Sequence, residues 1–335
     1  MINRGTTLAF TIVAAMGLTA ATTMAQERPS VLLRTATWLA YEAPNGPTEK
    51  PVGRLTGAGV MDVNPAFRKI TNPDGSFKVR VGALVTVSTQ KANNDGSKMQ
   101  GGLYVGDLTE TGLTPINSMK MLPILDGERT FMRPLIDFAE QQSYAVLIGA
   151  SEDNGASNNP QSVAYVSDLE GNLLDIANST RDNQDKPTNL ISLGNKQDDQ
   201  QWGPHSVCSL GADGTGESFL VGMQRNNQAA YVAKVKVEPT AGGAVNVTVP
   251  YLKRMVDEAR HCRPQVTCPA AGTKEAFITS VEANNQPADI GIRLVKFNVE
   301  TGEKIDSKLV AESDPDGKNS PNGKKTYAVQ NSAMI

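Results

Sequence analysis

Five times along the chain an aromatic residue opens a short run of apolar and β-branched residues after a polar, turn-rich stretch. The runs are Phe77-Lys-Val-Arg-Val-Gly82, Tyr144-Ala-Val-Leu-Ile-Gly149, Phe219-Leu-Val-Gly222, Phe277-Ile-Thr-Ser-Val281 and Tyr327-Ala-Val-Gln330. Successive aromatics lie 50 to 75 residues apart. Self-similarity at such a period marks a repeat architecture, in which one supersecondary unit buries its faces against copies of itself.

The surroundings of each run define that unit. A proline dipeptide precedes it: Asn64-Pro65, Arg133-Pro134, Gly203-Pro204 and Arg263-Pro264. An Asn/Asp/Gly-rich loop follows it, at Lys91–Gly96, Ser151–Gly155, Arg225–Gln228 and Ala283–Gln286. A third apolar or alternating segment comes next: Leu103–Val105, Val163–Val166, Ala230–Val237 and Ile290–Phe297. Then an acid or amide, an apolar residue and a glycine close a reversal, in Asp107–Gly112, Asp168-Leu-Glu-Gly171 and Asn298-Val-Glu-Thr-Gly302. Such turns need a glycine where φ is positive. Gly171–Ile176 and Gly302–Ser307 supply a fourth strand. The unit is four antiparallel strands, and the fold class is all-β.

Four-stranded antiparallel sheets in tandem describe the blades of a β-propeller. The apolar-Asp-apolar-Gly turns resemble those of secreted bacterial β-propeller repeat proteins, and the resemblance covers most of the chain without a family-specific signature. Strand-like segments at Arg28–Tyr41 and Val52–Gly59, together with Tyr327–Gln330, complete a fifth blade. The expectation is a propeller of about five blades closed by N- and C-terminal strands. The alternatives are an incomplete six- or seven-bladed ring and a pair of β-sandwiches. One segment, Pro250 to Arg260, carries Leu252, Met255, Val256 and Ala259 on one helical face and reads as a short helix between blades.

Residues 1–25 have the layout of an export signal: Arg4, an apolar stretch from Leu8 to Leu18, and small residues at Thr23 and Ala25 ahead of a cleavage site. Residues 26–335 then form a single propeller domain, exported to the periplasm or the extracellular space, with no membrane span. A hydrophobic content of 39% supports a packed core, and 5% aromatics among 30 glycines and 19 prolines suits many short strands. A net charge of −3 with no basic cluster excludes nucleic acid as a partner.

Three cysteines, Cys208, Cys262 and Cys268, enter an oxidising destination, giving one bridge and one remaining thiol, with the pairing open. The two histidines, His205 and His261, lie near the recurrent prolines. With the cysteines they hold the atoms of a soft metal site, yet the spacings of known zinc motifs are missing, so neither metal nor cofactor is expected. Loop acids Asp95, Asp153, Asp198, Asp199, Asp213, Asp314 and Asp316 allow a carboxylate pair of the glycosidase kind. Only Trp38 and Trp202 are available as tryptophan platforms, and no G-x-S-x-G elbow is present. These features favour a non-enzymatic binding or scaffold module over a glycan-acting hydrolase with carboxylates at a channel mouth. The expected partner is a protein or glycan of the cell envelope. Candidate ligand contacts are Trp202, His205, Arg133 and Arg263, and no catalytic residue is assigned.

Overall fold

The computed structural model describes residues 60–89, 98–109, 112–117, 120–122, 131–153, 157–179, 189–194, 202–225, 229–256, 264–269, 273–283 and 290–312. Among these residues every regular element is a strand. The first sheet has the order β1 (Val60–Thr71), β2 (Phe77–Thr89), β3 (Lys98–Thr109), β4 (Gly112–Pro115), with β5 (Lys120–Met121) also paired to β3. The second runs β6 (Phe131–Phe138), β7 (Tyr144–Asp153), β8 (Ser157–Asp168), β9 (Ile191–Ser192). The third is β10 (Trp202–Asp213), β11 (Gly216–Arg225), β12 (Ala229–Pro239), β13 (Val245–Val256). The fourth is β14 (Gln265–Thr267), β15 (Glu275–Ala283), β16 (Ile290–Asn298), β17 (Lys304–Glu312). The described residues therefore form four antiparallel sheets, each with four strands in hairpin order. The segments assigned to a fifth blade, and most of the Asn-rich loops, lie outside the described residues.

The local rules hold where they were specific. Gly112, Gly171 and Gly302 have φ of 125°, 82° and 70°, as the reversals require. In the β16–β17 turn the Asn298 side chain accepts the N–H groups of Glu300 and Thr301, while Gly302 N–H bonds Asn298 O at 2.8 Å. Asp168 does the same for Glu170 and Asn172. Each recurrent proline sits in, or next to, the first strand of its sheet. That strand is an edge strand, where a missing N–H costs no ladder bond.

Three expectations are corrected. Pro250–Val256 is not helical but forms the second half of β13. Val249 and Pro250 together lie opposite Val235, between the pairs Lys234↔Tyr251 and Lys236↔Thr248. A second bulge leaves Met255 between the pairs Tyr231↔Arg254 and Ala230↔Val256, so that Met255 and Val256 are both buried and give the false helical spacing; residues 257–260 lie outside the described residues. Gly171–Ile176 is not a full fourth strand. Leu173 makes one bridge to Ser167, then the chain leaves, and Ile176 pairs in parallel with Val245 of β13. Nor are the leading aromatics equivalent. Glu217 and Phe219 face Val237 and Val235, whereas Ala276 and Ile278 face Phe297 and Val295. Phe277 thus occupies the register of Ser218, not Phe219, and a one-residue slip puts it on the opposite face. Phe77 is 61% exposed, while Tyr144 and Phe219 are buried.

The chain divides into two compact units. One comprises residues up to Ile136 with the turn Asp168–Asn172; the other comprises Asp137–Ser167 and the chain from Leu173. In the first, Val81, Ala83, Leu84, Val85, Leu103, Tyr104 and Val105 form the buried centre of the sheet. The Asp168–Asn172 turn docks on it: Arg80 donates to Leu169 O and lies 3.5 Å from the Glu170 carboxylate. Arg80 also pairs with Asp107 at 2.6 Å, and Lys78 reaches the same carboxylate at 2.8 Å. Burial opposes the Asp107 charge, but these bonds outweigh it and hold its pKa below the usual carboxylate range.

In the second unit the third and fourth sheets pack face to face. Leu220, Ala230, Val232, Tyr251 and Met255 from one interleave with Ala276, Ile278, Val295, Phe297 and Val299 from the other. Gly222 makes the close approach possible: a Cβ there would stand 2.9 Å from the Pro264 carbonyl and would collide with the Ser206 hydroxyl.

Candidate functional site

Three first strands carry a polar side chain that bonds the backbone of another first strand. In the first unit Asn64 of β1 accepts the Ile136 N–H of β6 at 2.9 Å. In the second unit Asp137 of β6 accepts the Ser209 N–H of β10 at 2.7 Å. Ser206 of β10 in turn donates to Pro264 O and accepts the Val266 N–H of β14, both at 2.9 Å. A short polar side chain on each of these first strands thus bonds the backbone of the next one. β10 is bulged at His205 and at Leu210, beside Ser206 and Ser209. Cys208 and Cys268 reinforce the same junction with a disulfide whose Cα atoms are 5.8 Å apart. This selects one pairing of the three possible; Cys262 lies outside the described residues.

A second junction, also within the second unit, is built on Glu217 and Tyr144. Glu217 is fully buried, and its carboxylate accepts the N–H groups of Glu140, Gln141 and Gln142 at 2.6, 2.5 and 2.6 Å. Three successive amides in a turn form a nest for an anion, and here the protein fills it with its own side chain. The Tyr144 hydroxyl donates to Val237 O at 2.9 Å and accepts the Glu217 N–H at 3.1 Å. Burial, then the Glu217 charge, pushes the phenol's pKa up.

The predicted ligand contacts are dispersed by this framework. Trp202 begins β10 at 2% exposure; its ring meets Tyr231 edge-on at 4.9 Å, and the Arg225 guanidinium lies 5.8 Å from its centre. Its other neighbour is Gly194, where a Cβ would come within 2.8 Å of the indole. Little of the indole faces solvent. His205 is partly exposed in the β10 bulge, and its carbonyl accepts the Gln265 side-chain amide at 3.2 Å. Arg133 is partly exposed in β6 with φ of 54°, a left-handed backbone rare for a non-glycine residue. Arg263 and His261 lie outside the described residues. No three His, Cys, Asp or Glu side chains among the described residues gather as a metal cluster.

Of the loop acids, Asp95, Asp198, Asp199, Asp314 and Asp316 lie outside the described residues. Asp213 is bonded to Lys234 at 2.7 Å and accepts the Ser218 hydroxyl at 2.6 Å. These contacts, Lys234 first, lower its pKa and keep it ionised, the wrong state for a general acid. The acid that sequence reasoning missed is Asp137. Burial is the main cause that raises its pKa to about 6, with the charge of Glu140 adding to it. The signal was available: Leu135-Ile136-Asp137-Phe138-Ala139 places one charge in an otherwise apolar run. No family model and no curated protein matches the chain.

Proposed function

We propose that the protein is an exported, non-enzymatic binding or scaffold module that presents the loops between its strands to a protein or glycan partner of the cell envelope. The observation that carries this reading is the set of junctions on the first strands. Asp137, Ser206 and the Cys208–Cys268 disulfide tie successive strands together, so loops on those sheets stand on a fixed base. A disulfide persists in oxidising compartments, which favours export to the periplasm or beyond. His205 of β10 and Arg133 of β6, both partly exposed, remain proposed contacts, each taken by itself, with Arg263 outside the described residues. The same repeat supports a β-propeller of about five blades, the fifth drawn from Arg28–Tyr41, Val52–Gly59 and Tyr327–Gln330.

The test is a glycan array and a crosslinking capture from envelope fractions, using the mature chain with its disulfide intact. Saturable binding to one glycan class or one envelope protein, weakened by Arg133→Ala or His205→Ala, is the expected result. Turnover of a glycan by the purified chain, or capture unchanged by both substitutions and by replacement of the Asn-rich loops, overturns it. Fractionation of the expressing cells checks the compartment.

A further inference from the structure

The outer edge of the third sheet is closed by chain that comes from the second. After Leu174, whose N–H bonds Val166 O at 2.9 Å, the chain leaves β8 and runs alongside β13. Val245 N–H donates to Asp175 O and Ala177 N–H donates to Val245 O, both at 2.8 Å, which is the ladder of a parallel pair. The next rung would use the Ala177 carbonyl and the Ser179 N–H. Ser179 N–H instead turns back to Ile176 O at 3.0 Å. The Asn178 side chain takes over that rung. Its Nδ2 donates to Val247 O at 2.7 Å, and its Oδ1 accepts the Val247 N–H at 3.0 Å. A carboxamide offers both a donor and an acceptor, so it stands in for a peptide group.

The sealed stretch is short. Two residues on, Val249 and Pro250 form the bulge, where the edge is broken and proline has no N–H to offer. The strap itself is lightly held. Ile176 is 3% exposed, whereas Asp175, Ala177 and Asn178 are exposed. Four hydrogen bonds to β13, the buried Ile176 side chain and a surface bond from the Asn189 amide to the Asp175 carboxylate hold it. β13 does not depend on the strap, because β12 pairs with its other edge from Val245 to Val256.

We propose that the edge of β13 at Val245–Val247 is a strand-addition site for an extended peptide, and that Asp175–Asn178 occupies it in cis.

The geometry specifies the peptide. It enters parallel to β13, buries one branched apolar side chain at the place of Ile176, and carries an asparagine two residues further on. Main-chain bonds supply affinity, and those two side chains supply selectivity. A bare edge would take any strand, a second copy's included, so dependence on the asparagine separates a binding site from a mere seal. None of the contacts proposed above lies in this site, which stands or falls apart from them.

The probe is a synthetic peptide of the sequence Leu173–Ser179 carrying a fluorophore. It is titrated into the full, oxidised chain and into its Ile176→Asp/Asn178→Ala variant, in which the strap is released and β13 is unchanged. Fluorescence anisotropy is expected to show saturable binding to the variant. Binding to the unsubstituted chain should be roughly a hundredfold weaker, because the tethered segment competes at high effective concentration. A peptide carrying Asn178→Ala should bind the variant roughly tenfold less tightly, for two lost hydrogen bonds. No binding to the variant, or equal binding of the two peptides, overturns the proposal. So does self-association of the variant that the peptide does not reverse, which would assign the strap to edge protection alone. Should the double variant fail to fold, hydrogen exchange in the unsubstituted chain decides. Val245, Val247 and Ala177 amides that exchange through one shared opening, faster than Val221 in the middle of the sheet, support a displaceable strap. Exchange of all four only on global unfolding overturns it.

Discussion

The third and fourth sheets share one strand order but differ in how far their faces are closed. The third is buried on both faces. Phe219, Val221, Val235 and Val237 line one, Leu220 and Val232 the other, and none of the six retains exposure. Among the described residues the fourth is closed on the face of Ala276, Ile278, Val295 and Phe297 and less fully on the other, where Thr279 is buried. On that other face Phe277, Leu294 and Lys296 are partly exposed, and β17 is exposed at every position from Lys304 to Lys308, including Ile305 at 49%. A sheet in a tandem array owes its core to both neighbours, so the same pattern of residues yields different stability according to what lies alongside.

Substitutions on the two sheets sharpen this contrast. Phe219→Ala is expected to cost roughly 3–5 kcal/mol in urea unfolding, because a fully buried ring leaves a cavity between packed sheets. A loss below about 1 kcal/mol would break the claim that this face is closed. Removing the bridge with Cys208→Ser and Cys268→Ser comes next, at roughly 2–4 kcal/mol for a loop of this length. Its effect should vanish in reducing buffer, where both proteins lack the bridge. Gly222→Ala tests the close approach of Pro264 and should cost about 1–3 kcal/mol through overpacking, with exchange protection lost first at Val266. Phe277→Ala is the smallest, about 1 kcal/mol or less, since its face is half open. A cost equal to that of Phe219→Ala would show that the fourth sheet's outer face is covered as fully as the third's.

Much of the unit was legible in the chain. Alternation at period two located the second and third strands, because a strand between two layers needs apolar residues at alternate positions or throughout. The glycines of the reversals were legible because only glycine tolerates those backbone angles cheaply. The prolines marked edge strands for the complementary reason, the absent N–H. What was illegible depended on register. The bulge at Met255 turned a strand into an apparent helix, and the slip at Phe277 put like-looking aromatics on opposite faces. Candidate ligand residues fared similarly. Trp202 is conspicuous in composition, but its burial against Tyr231 and Gly194 follows from where β10 begins, which no local pattern announces.

By itself the sequence determined that this protein is all-β and built of antiparallel sheets, because hydrophobic period and turn chemistry act within a few residues. Tertiary structure alone decided which cysteines meet, which acid is held near neutrality, and which faces are closed. Those outcomes depend on residues some sixty to seventy positions apart being brought within hydrogen-bond or disulfide reach, as Asp137 with Ser209 and Cys208 with Cys268. Their burial and bonding are properties of the stacked sheets rather than of any one strand.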